Sequence, residues 1–167
     1  SPEKRYDILT EIAARILPTR PDWKWIIYGD GEGKDEYDGA VRQRGLENRV
    51  FFMGNTDAPE TVYRQGGIYA LTSEREGFPL VILEAKVNHL PCISFDITSG
   101  PGEMIRDGVD GFLIQAMSIE DYAEKLGNLM DDRDLRIKMS KASGENLSEF
   151  SGDTIINKWR SLIDGLK

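Results

Sequence analysis

The sequence has one cysteine, one histidine and no long apolar run, and these shortages exclude several classes of protein. The single cysteine among 167 residues, Cys92, cannot form an internal disulfide, and its apolar neighbours predict a buried thiol. No run of about 18 apolar residues is present, as a membrane-spanning helix would need, and no secretory signal peptide is visible. We therefore expect a soluble, cytoplasmic chain.

Positive charge is also in deficit. The chain has 21 Lys and Arg residues against 29 Asp and Glu residues, a net charge of −8. Such a balance opposes binding to nucleic acids or to anionic lipid, so neither is expected as a partner. A pocket for an anionic ligand must then be built from local groups, namely helix N-termini and a few cations. Lys4, near a predicted helix start, is one such cation, although alone it is typical of a solvated surface lysine.

Strand and helix patterns alternate to about residue 130. Short apolar runs predict strands at residues 23–28, 50–53, 68–73, 91–95 and 111–114, with helical segments between them and further helices after residue 118. Asp57 is the expected cap of the helix at 58–65. This order is typical of one α/β domain with a doubly wound, mostly parallel sheet, and here with a helical C-terminal third.

Residues 76–84 are the most informative segment, because they place two carboxylates around an apolar turn and helix start. Gly77 permits a sharp turn after the 68–73 strand, and Pro79 suits the first helical position. Glu84 then lies about one and a half turns into the helix. Its neighbours are apolar nearly all round, which predicts a buried helix and a largely buried Glu84 carboxylate that needs a hydrogen-bond partner. Sugar hydroxyls would supply one.

Two other glycine turns follow predicted strands. Residues 29–33 invite comparison with a dinucleotide-binding fingerprint but lack its G-x-G-x-x-G spacing, so they are either a pocket-lining turn or a plain one. Residues 100–102 leave the same two alternatives open. Because all these turns follow strands of one parallel sheet, we expect them to share a cleft with residues 76–84. The acidic cluster at 131–134 is typical of a helix start and does not require a metal.

The ten residues at 76–85, Glu-Gly-Phe-Pro-Leu-Val-Ile-Leu-Glu-Ala, preceded by Leu-Thr-Ser, closely resemble the signature of the retaining glycosyltransferases of group 1. Residues 26–31, 49–54, 90–94 and 108–114 resemble further blocks of that family, in the family's order. The resemblance covers residues 1 to about 165. It implies two Rossmann-like domains facing a cleft, of which residues 1–167 are the second, donor-binding domain, with the N-terminal acceptor domain absent.

The resemblance implies a role for each residue of the donor site. Glu84 would accept hydrogen bonds from the ribose hydroxyls, and Glu76 would lie beside the donor sugar as the catalytic residue. Lys4 would grip the diphosphate, although the arginine that accompanies it in the family would fall before Ser1, and Arg5 replaces the family's usual glycine. The remaining donor-binding residues implied are Gly29, Gly31, Phe52, Met53, Gly77, Phe78, Pro79, Leu80 and Val81.

The function implied is transfer of a hexose, with retained configuration, from a nucleoside diphosphate sugar to a saccharide or lipid-linked acceptor of a bacterial cell-surface polysaccharide. UDP-hexose is the expected donor. The scheme needs no metal and no cofactor besides this co-substrate. The chain alone is expected to be inactive, and only the missing half would associate with a membrane. The alternatives are a non-catalytic nucleotide- or sugar-phosphate-binding module and a doubly wound signalling domain.

The resemblance also bears on the sheet. The family's first strand would precede Ser1 and is central in a doubly wound order. The strands near Trp25 and Tyr69 are therefore expected either to pair directly or to leave a gap, which a symmetry-related chain could fill.

Overall fold

The structure, a computed structural model, describes residues 4–30 and 34–165, without the side chains of residues 34–36. Five short strands alternate with helices, and three helices follow the last strand. The elements are α1 Tyr6–Ile16, β1 Trp25–Ile27, α2 Lys34–Gln43, β2 Val50–Phe52, α3 Pro59–Gln65, β3 Tyr69–Leu71, α4 Leu80–Val87, β4 Cys92–Phe95, α5 Pro101–Met104, β5 Gly111–Ile114, α6 Ile119–Asp131, α7 Arg133–Ser143 and α8 Gly152–Asp164. The α/β class and the helical C-terminal third expected from the sequence are confirmed.

All strand pairs between these elements are parallel, but they form two sheets where one was expected. β1 pairs with β2, and β3, β4 and β5 form a second sheet in that order. A cleft of about 820 Å³ lies between β1 and β3. Of the two arrangements expected for these strands, direct pairing or a gap, the structure has the gap. The Trp25 N–H donates to the Arg49 carbonyl, and the Ile27 carbonyl accepts from the Met53 N–H, so the backbone groups of both residues face β2. Since parallel strands alternate, the backbone groups of Ile26 face the cleft.

The main core lies between the sheets and the helices α1 and α6. Ile12 and Ala13 of α1 and Tyr122 of α6 are fully buried. The Tyr122 hydroxyl donates to the carbonyl oxygens of Leu71 (3.3 Å) and Ile93 (3.1 Å), so α6 is fixed against β3 and β4. The buried Tyr122 hydroxyl would be costly to leave without an acceptor, and the two strand carbonyls supply one. Cys92 is buried as expected, and its burial raises the pKa of the thiol.

A buried ion pair fixes the C-terminal half of α4. Lys86 and Asp110 are both fully buried, and their Nζ and Oδ2 atoms lie 3.0 Å apart. Lys86 also donates to the Met104 carbonyl. Asp110 accepts from the Arg106 side chain (2.7 Å) and the Arg106 N–H (2.9 Å), so both buried charges have hydrogen-bond partners. The network ties α4 to the segment between α5 and β5.

Asp110→Asn is therefore expected to destabilise the protein by about 3 kcal/mol, because it leaves the Lys86 ammonium buried without a counter-charge. Lys86→Met should cost less, since Asp110 keeps its bonds to Arg106. Urea unfolding measures both. Glu145→Gln is the control, since Glu145 pairs with Arg106 at the surface and should change stability by no more than about 0.5 kcal/mol. Equal effects for Asp110→Asn and Glu145→Gln would contradict a structural role for the buried pair.

Side-chain caps explain where the C-terminal helices begin. Ser118, Asp132 and Ser151 accept hydrogen bonds from the backbone three residues on, at the starts of α6, α7 and α8. The expected cap at Asp57 is wrong. α3 begins after Ala58, whose N–H donates to the Thr56 hydroxyl (3.1 Å). α3 has no side-chain cap among the described residues, and the Thr56 hydroxyl instead closes a short turn before the helix.

α8 has a strongly apolar face that the described chain does not cover. Trp159 is 61% exposed, and the other large apolar residues of the helix are exposed too: Ile155, Ile156, Leu162 and Ile163. This apolar stripe of α8 is therefore not packed into the core of the described chain. None of the described helices is long and apolar enough to cross a membrane.

Candidate functional site

Lys4 and Tyr6, at the start of α1, connect the carboxyl ends of the two sheets. Thr72, directly after β3, donates its hydroxyl to the Lys4 carbonyl (2.9 Å). Tyr6 lies two residues after Lys4, and its ring packs edge-on against Phe52 at the end of β2, with ring centroids 5.8 Å apart. The strand ends therefore lie on the same side of the molecule, where parallel α/β sheets bind their ligands.

Lys4 and Glu76 meet at this edge although 72 positions separate them. The Lys4 Nζ lies 2.7 Å from the Glu76 Oε1, and the two side chains are 39% and 15% exposed. A solvated surface lysine, the reading favoured by the sequence around Lys4 alone, is not what the structure shows. The pair places a cation and a carboxylate directly before α4.

Arg5 shows why the family pattern has a glycine at this position. Its φ is 49° and its ψ is 53°, the left-handed conformation that glycine adopts without strain. Two ion pairs hold the arginine there, to Asp7 (2.9 Å) and to Glu74 (2.8 Å). The bond from Arg5 lowers the pKa of the Asp7 carboxyl. The side-chain pairs thus offset the backbone strain, and the chain still turns correctly into α1.

The turn before α4 packs against the turn before α5. Ser99 donates its hydroxyl to the Glu76 carbonyl (2.7 Å). Gly100 has φ +95°, and a Cβ built there would lie 2.5 Å from the Pro79 Cδ. Only glycine fits both the conformation and the space, so residues 76–79 and 99–100 form one surface. The structure thus brings the 100–102 turn to residues 76–79, as expected from the sequence.

Gly100→Ala should therefore lower stability by about 1–3 kcal/mol, through left-handed strain and the clash with Pro79. Gly39→Ala is the matched control. Gly39 lies in α2 with open space around its Cβ position, so alanine there should be neutral or stabilising. Thermal and urea unfolding of both variants provide the measurement. A Gly100→Ala protein as stable as Gly39→Ala would show that the two turns do not pack as described.

The start of α4 offers backbone N–H groups to the same edge. Within the described residues, the N–H groups of Phe78 and Val81 have no hydrogen-bond partner, whereas the Leu80 N–H donates to the Phe78 carbonyl (2.9 Å). Phe78 and Leu80 are 47% and 60% exposed, Gly77 is exposed, and Pro79 is buried. Free N–H groups at a helix start attract an anion.

Glu84 lies on α4 with an unexpected environment. It is exposed, so the expectation of a largely buried carboxylate is wrong. Ile82 and Ala85 of α4 face the core, whereas Glu84 faces outward. Because the neighbours of Glu84 are apolar nearly all round, the sequence does not indicate which face of the helix is buried. The carboxylate has a partner within the protein that the sequence did not predict, because the Tyr63 hydroxyl donates to the Glu84 Oε2 (2.8 Å).

The loops after β1 and β2 are fastened to each other. The Gly29 N–H donates to the Gly54 carbonyl (2.8 Å), and Gly29 has φ +128°. The Asn55 side chain bonds both the backbone N–H and the carboxylate of Asp30 (3.1 and 2.7 Å). Gly31 lies outside the described residues. The cleft that the Gly29 turn was expected to share with residues 76–84 stays a prediction.

Aromatic rings form the border beside these loops. Phe52 stacks on Tyr37 with ring centroids 6.3 Å apart, and Tyr6 contacts both rings. Met53 is 54% exposed at the end of β2. This arrangement offers a flat apolar surface next to the strand ends.

The acidic cluster at 131–134 is structural. Asp131 forms a two-pronged pair with Arg20 (2.6 and 2.8 Å), which lowers the pKa of its carboxyl, and Asp132 caps α7. Within residues 4–30 and 34–165, no three His, Cys, Asp or Glu side chains are grouped as a metal site requires.

Sequence reasoning missed three residues that shape the site: Tyr63, Thr72 and Ser99. Each acts through one hydrogen bond to a residue far away in the chain, to Glu84, Lys4 and Glu76 respectively. Ser99 and Thr72 follow strands, where polar side chains were a usable signal. Tyr63 lies in an ordinary helical pattern, and nothing in the sequence around it indicates a partner.

The parallel strands and the glycine turns at the strand ends define an α/β domain of the Rossmann-like class. Comparison with known families gives the family itself. Residues 1–145 match the family model "Glycosyl transferases group 1". The chain belongs to this family of glycosyltransferases.

Individual relatives agree with this. The chain is 32% identical over 164 residues to the poly(ribitol-phosphate) alpha-N-acetylglucosaminyltransferase of Staphylococcus aureus, covering 98% of this chain and 33% of the relative. A mutant of S. aureus TarM, crystallised with UDP, fondaparinux and alpha-GlcNAc-glycerol, superposes with a TM-score of 0.91 at 32% identity (97% of this chain, 33% of TarM). The pneumococcal O-GlcNAc transferase GtfA, in complex with UDP and GlcNAc, gives 0.85 at 26% identity (99% and 34%). The chain spans about a third of the length of these relatives.

Proposed function

We propose that residues 1–167 are the donor-binding domain of a retaining hexosyltransferase that uses a UDP-hexose. The observation that carries the proposal is the Lys4–Glu76 pair at the N-terminal end of α4. A cation, free backbone N–H groups and a carboxylate lie together there, which is the combination that a sugar diphosphate requires. The two neighbours crystallised with UDP support uridine as the nucleoside.

The diphosphate is assigned to Lys4 and the start of α4. Its charge would replace Glu76 as a partner of the Lys4 ammonium, and the N–H groups of Phe78 and Val81 would donate to its oxygens. Gly77, Pro79 and Leu80 shape the turn, although Pro79 has no N–H to give. These local groups can attract an anion despite the net negative charge of the chain.

The nucleoside is assigned to Glu84 and to the ends of β1 and β2. The Glu84 carboxylate, exposed on α4, would accept hydrogen bonds from the ribose hydroxyls. Phe52 and Met53 would border the base, with the Gly29 turn beside them. Gly31, which lies outside the described residues, remains a prediction from the family resemblance.

In the reaction, the bond between the sugar C1 and the diphosphate oxygen breaks, C1 bonds to an acceptor hydroxyl oxygen with retained configuration, and the hydroxyl proton passes to the leaving diphosphate. Negative charge grows on the leaving diphosphate, where Lys4 and the α4 N-terminus would stabilise it. Glu76 would contact a sugar hydroxyl beside the reacting carbon. The scheme assigns no role to a metal or cofactor.

The acceptor is proposed to bind outside this chain. Relatives include polymer and lipopolysaccharide glycosyltransferases, which favours a saccharide or lipid-linked acceptor. Holding both substrates together supplies much of the rate of such a transfer, so the chain alone would bind donor without turnover. A cytoplasmic location, with any membrane contact made by the remainder of the protein, belongs to this proposal.

Glu84→Gln should weaken donor binding in the full-length protein by about 10- to 150-fold, because a charge-assisted hydrogen bond is worth roughly 1.5–3 kcal/mol. Turnover at saturating donor should change little, since the ribose contact is the same in the ground and transition states. Titration calorimetry with UDP and initial-rate kinetics measure the two quantities. Glu60→Gln, an exposed change on α3, is the control and should leave both unchanged.

Glu76→Gln should lower kcat and kcat/KM together, by at least about tenfold, because its contact is assigned to the transition state. Radiolabelled sugar transfer by the full-length enzyme provides the measurement, with UDP affinity determined in parallel. Donor binding with no transfer in the wild-type protein would favour the non-catalytic module instead. A fully active Glu76→Gln enzyme would remove Glu76 from the mechanism.

A further inference from the structure

Tyr63 and Glu84 lie on neighbouring helices, α3 and α4, and their side chains are joined. The Tyr63 Oη donates to the Glu84 Oε2 over 2.8 Å. The Tyr63 side chain is half-buried, and its ring lies 6.0 Å from the ring of Tyr69, inclined by 54°. The packed ring holds the phenol in one place, whereas Glu84 itself is exposed.

The bond decides how the carboxylate is presented. An exposed glutamate samples several rotamers and loses that freedom when it binds a ligand. Here the Tyr63 hydroxyl holds Oε2, while Oε1 has no hydrogen-bond partner within the described residues. The Asn88 amide also donates to the Glu84 carbonyl (2.9 Å), which holds the backbone at the same residue. One oxygen is thus anchored, and the other is available.

The phenol is a reliable donor. Its burial, and then its hydrogen bond to Glu84, raise the pKa of Tyr63 above the ordinary value for tyrosine. The hydroxyl therefore keeps its proton at neutral pH and can only donate toward the carboxylate.

We infer that Tyr63 is a positioning residue of the nucleoside site, which holds the Glu84 carboxylate so that Oε1 faces the ribose hydroxyls. The inference rests on the proposed function, because Oε1 acts only when a ribose is bound. Tyr63 touches no reacting atom, and its contribution is to reduce the ordering that binding would otherwise require of Glu84. It should therefore affect donor affinity and leave the chemical step unchanged.

Tyr63→Phe tests this, since phenylalanine keeps the ring packing and removes only the hydroxyl. Titration calorimetry on the full-length protein compares UDP with 2′,3′-dideoxyuridine diphosphate, which has no ribose hydroxyls for Glu84 to bind. Tyr63→Phe should raise the UDP dissociation constant by about two- to tenfold and leave that of the dideoxy nucleotide unchanged. The donor KM should rise with kcat unchanged. Tyr69→Phe, which removes the neighbouring hydroxyl, is the matched control and should alter neither affinity.

Each other outcome overturns a distinct statement. Equal weakening of both nucleotides by Tyr63→Phe would show a merely structural role. Unchanged UDP affinity in Tyr63→Phe, with weakened affinity in Glu84→Ala, would reject the inference and keep the proposed donor site. If the wild-type protein did not bind UDP, the proposed function would fail, and this inference with it. Urea unfolding of Tyr63→Phe separates lost affinity from lost stability.

Discussion

The start of α1 is the constraint on which the site depends. β1 and β2 are separate from β3, β4 and β5, so no ladder of hydrogen bonds sets one sheet against the other. At the strand ends, Lys4 and Tyr6 contact Thr72, Glu76 and Phe52 across the division. Because these contacts involve residues that lie within one short segment at the start of α1, the positions of the cation, the carboxylate and the aromatic border are coupled. A shift of α1 would move all three.

α4 is held at both ends, and this explains how a short helix can present charged groups accurately. At its N-terminal end, Pro79 packs against Gly100, where no side chain would fit. At its C-terminal end, Lys86 is buried against Asp110. A buried ion pair contributes little net stability, because desolvation offsets much of the attraction, but it strongly disfavours any other placement of the two charges. The C-terminal end of α4 is thereby fixed in position relative to the start of β5.

The sequence predicts the elements better than their surroundings. Glycines and apolar runs mark the strands, and the predicted bounds of β5, residues 111–114, match those observed. Burial within α4 was not predictable, since Glu84 and Lys86 lie in the same apolar stretch and only one of them is buried. Their difference arises from Asp110 and Tyr63, which are distant in sequence. The local pattern specifies a helix, whereas long-range partners decide which side of it faces inward.

The charged groups at the strand ends already have partners inside the protein. Glu76 neutralises Lys4, and Tyr63 holds one oxygen of Glu84. A bound diphosphate would therefore exchange one partner for another at Lys4, and the net gain would be smaller than the attraction of an isolated lysine suggests. At Glu84 no exchange is needed, because its second oxygen is free. In the proposed donor site, the nucleoside end would thus be preorganised, whereas the diphosphate end, where the bond would break, would have to rearrange.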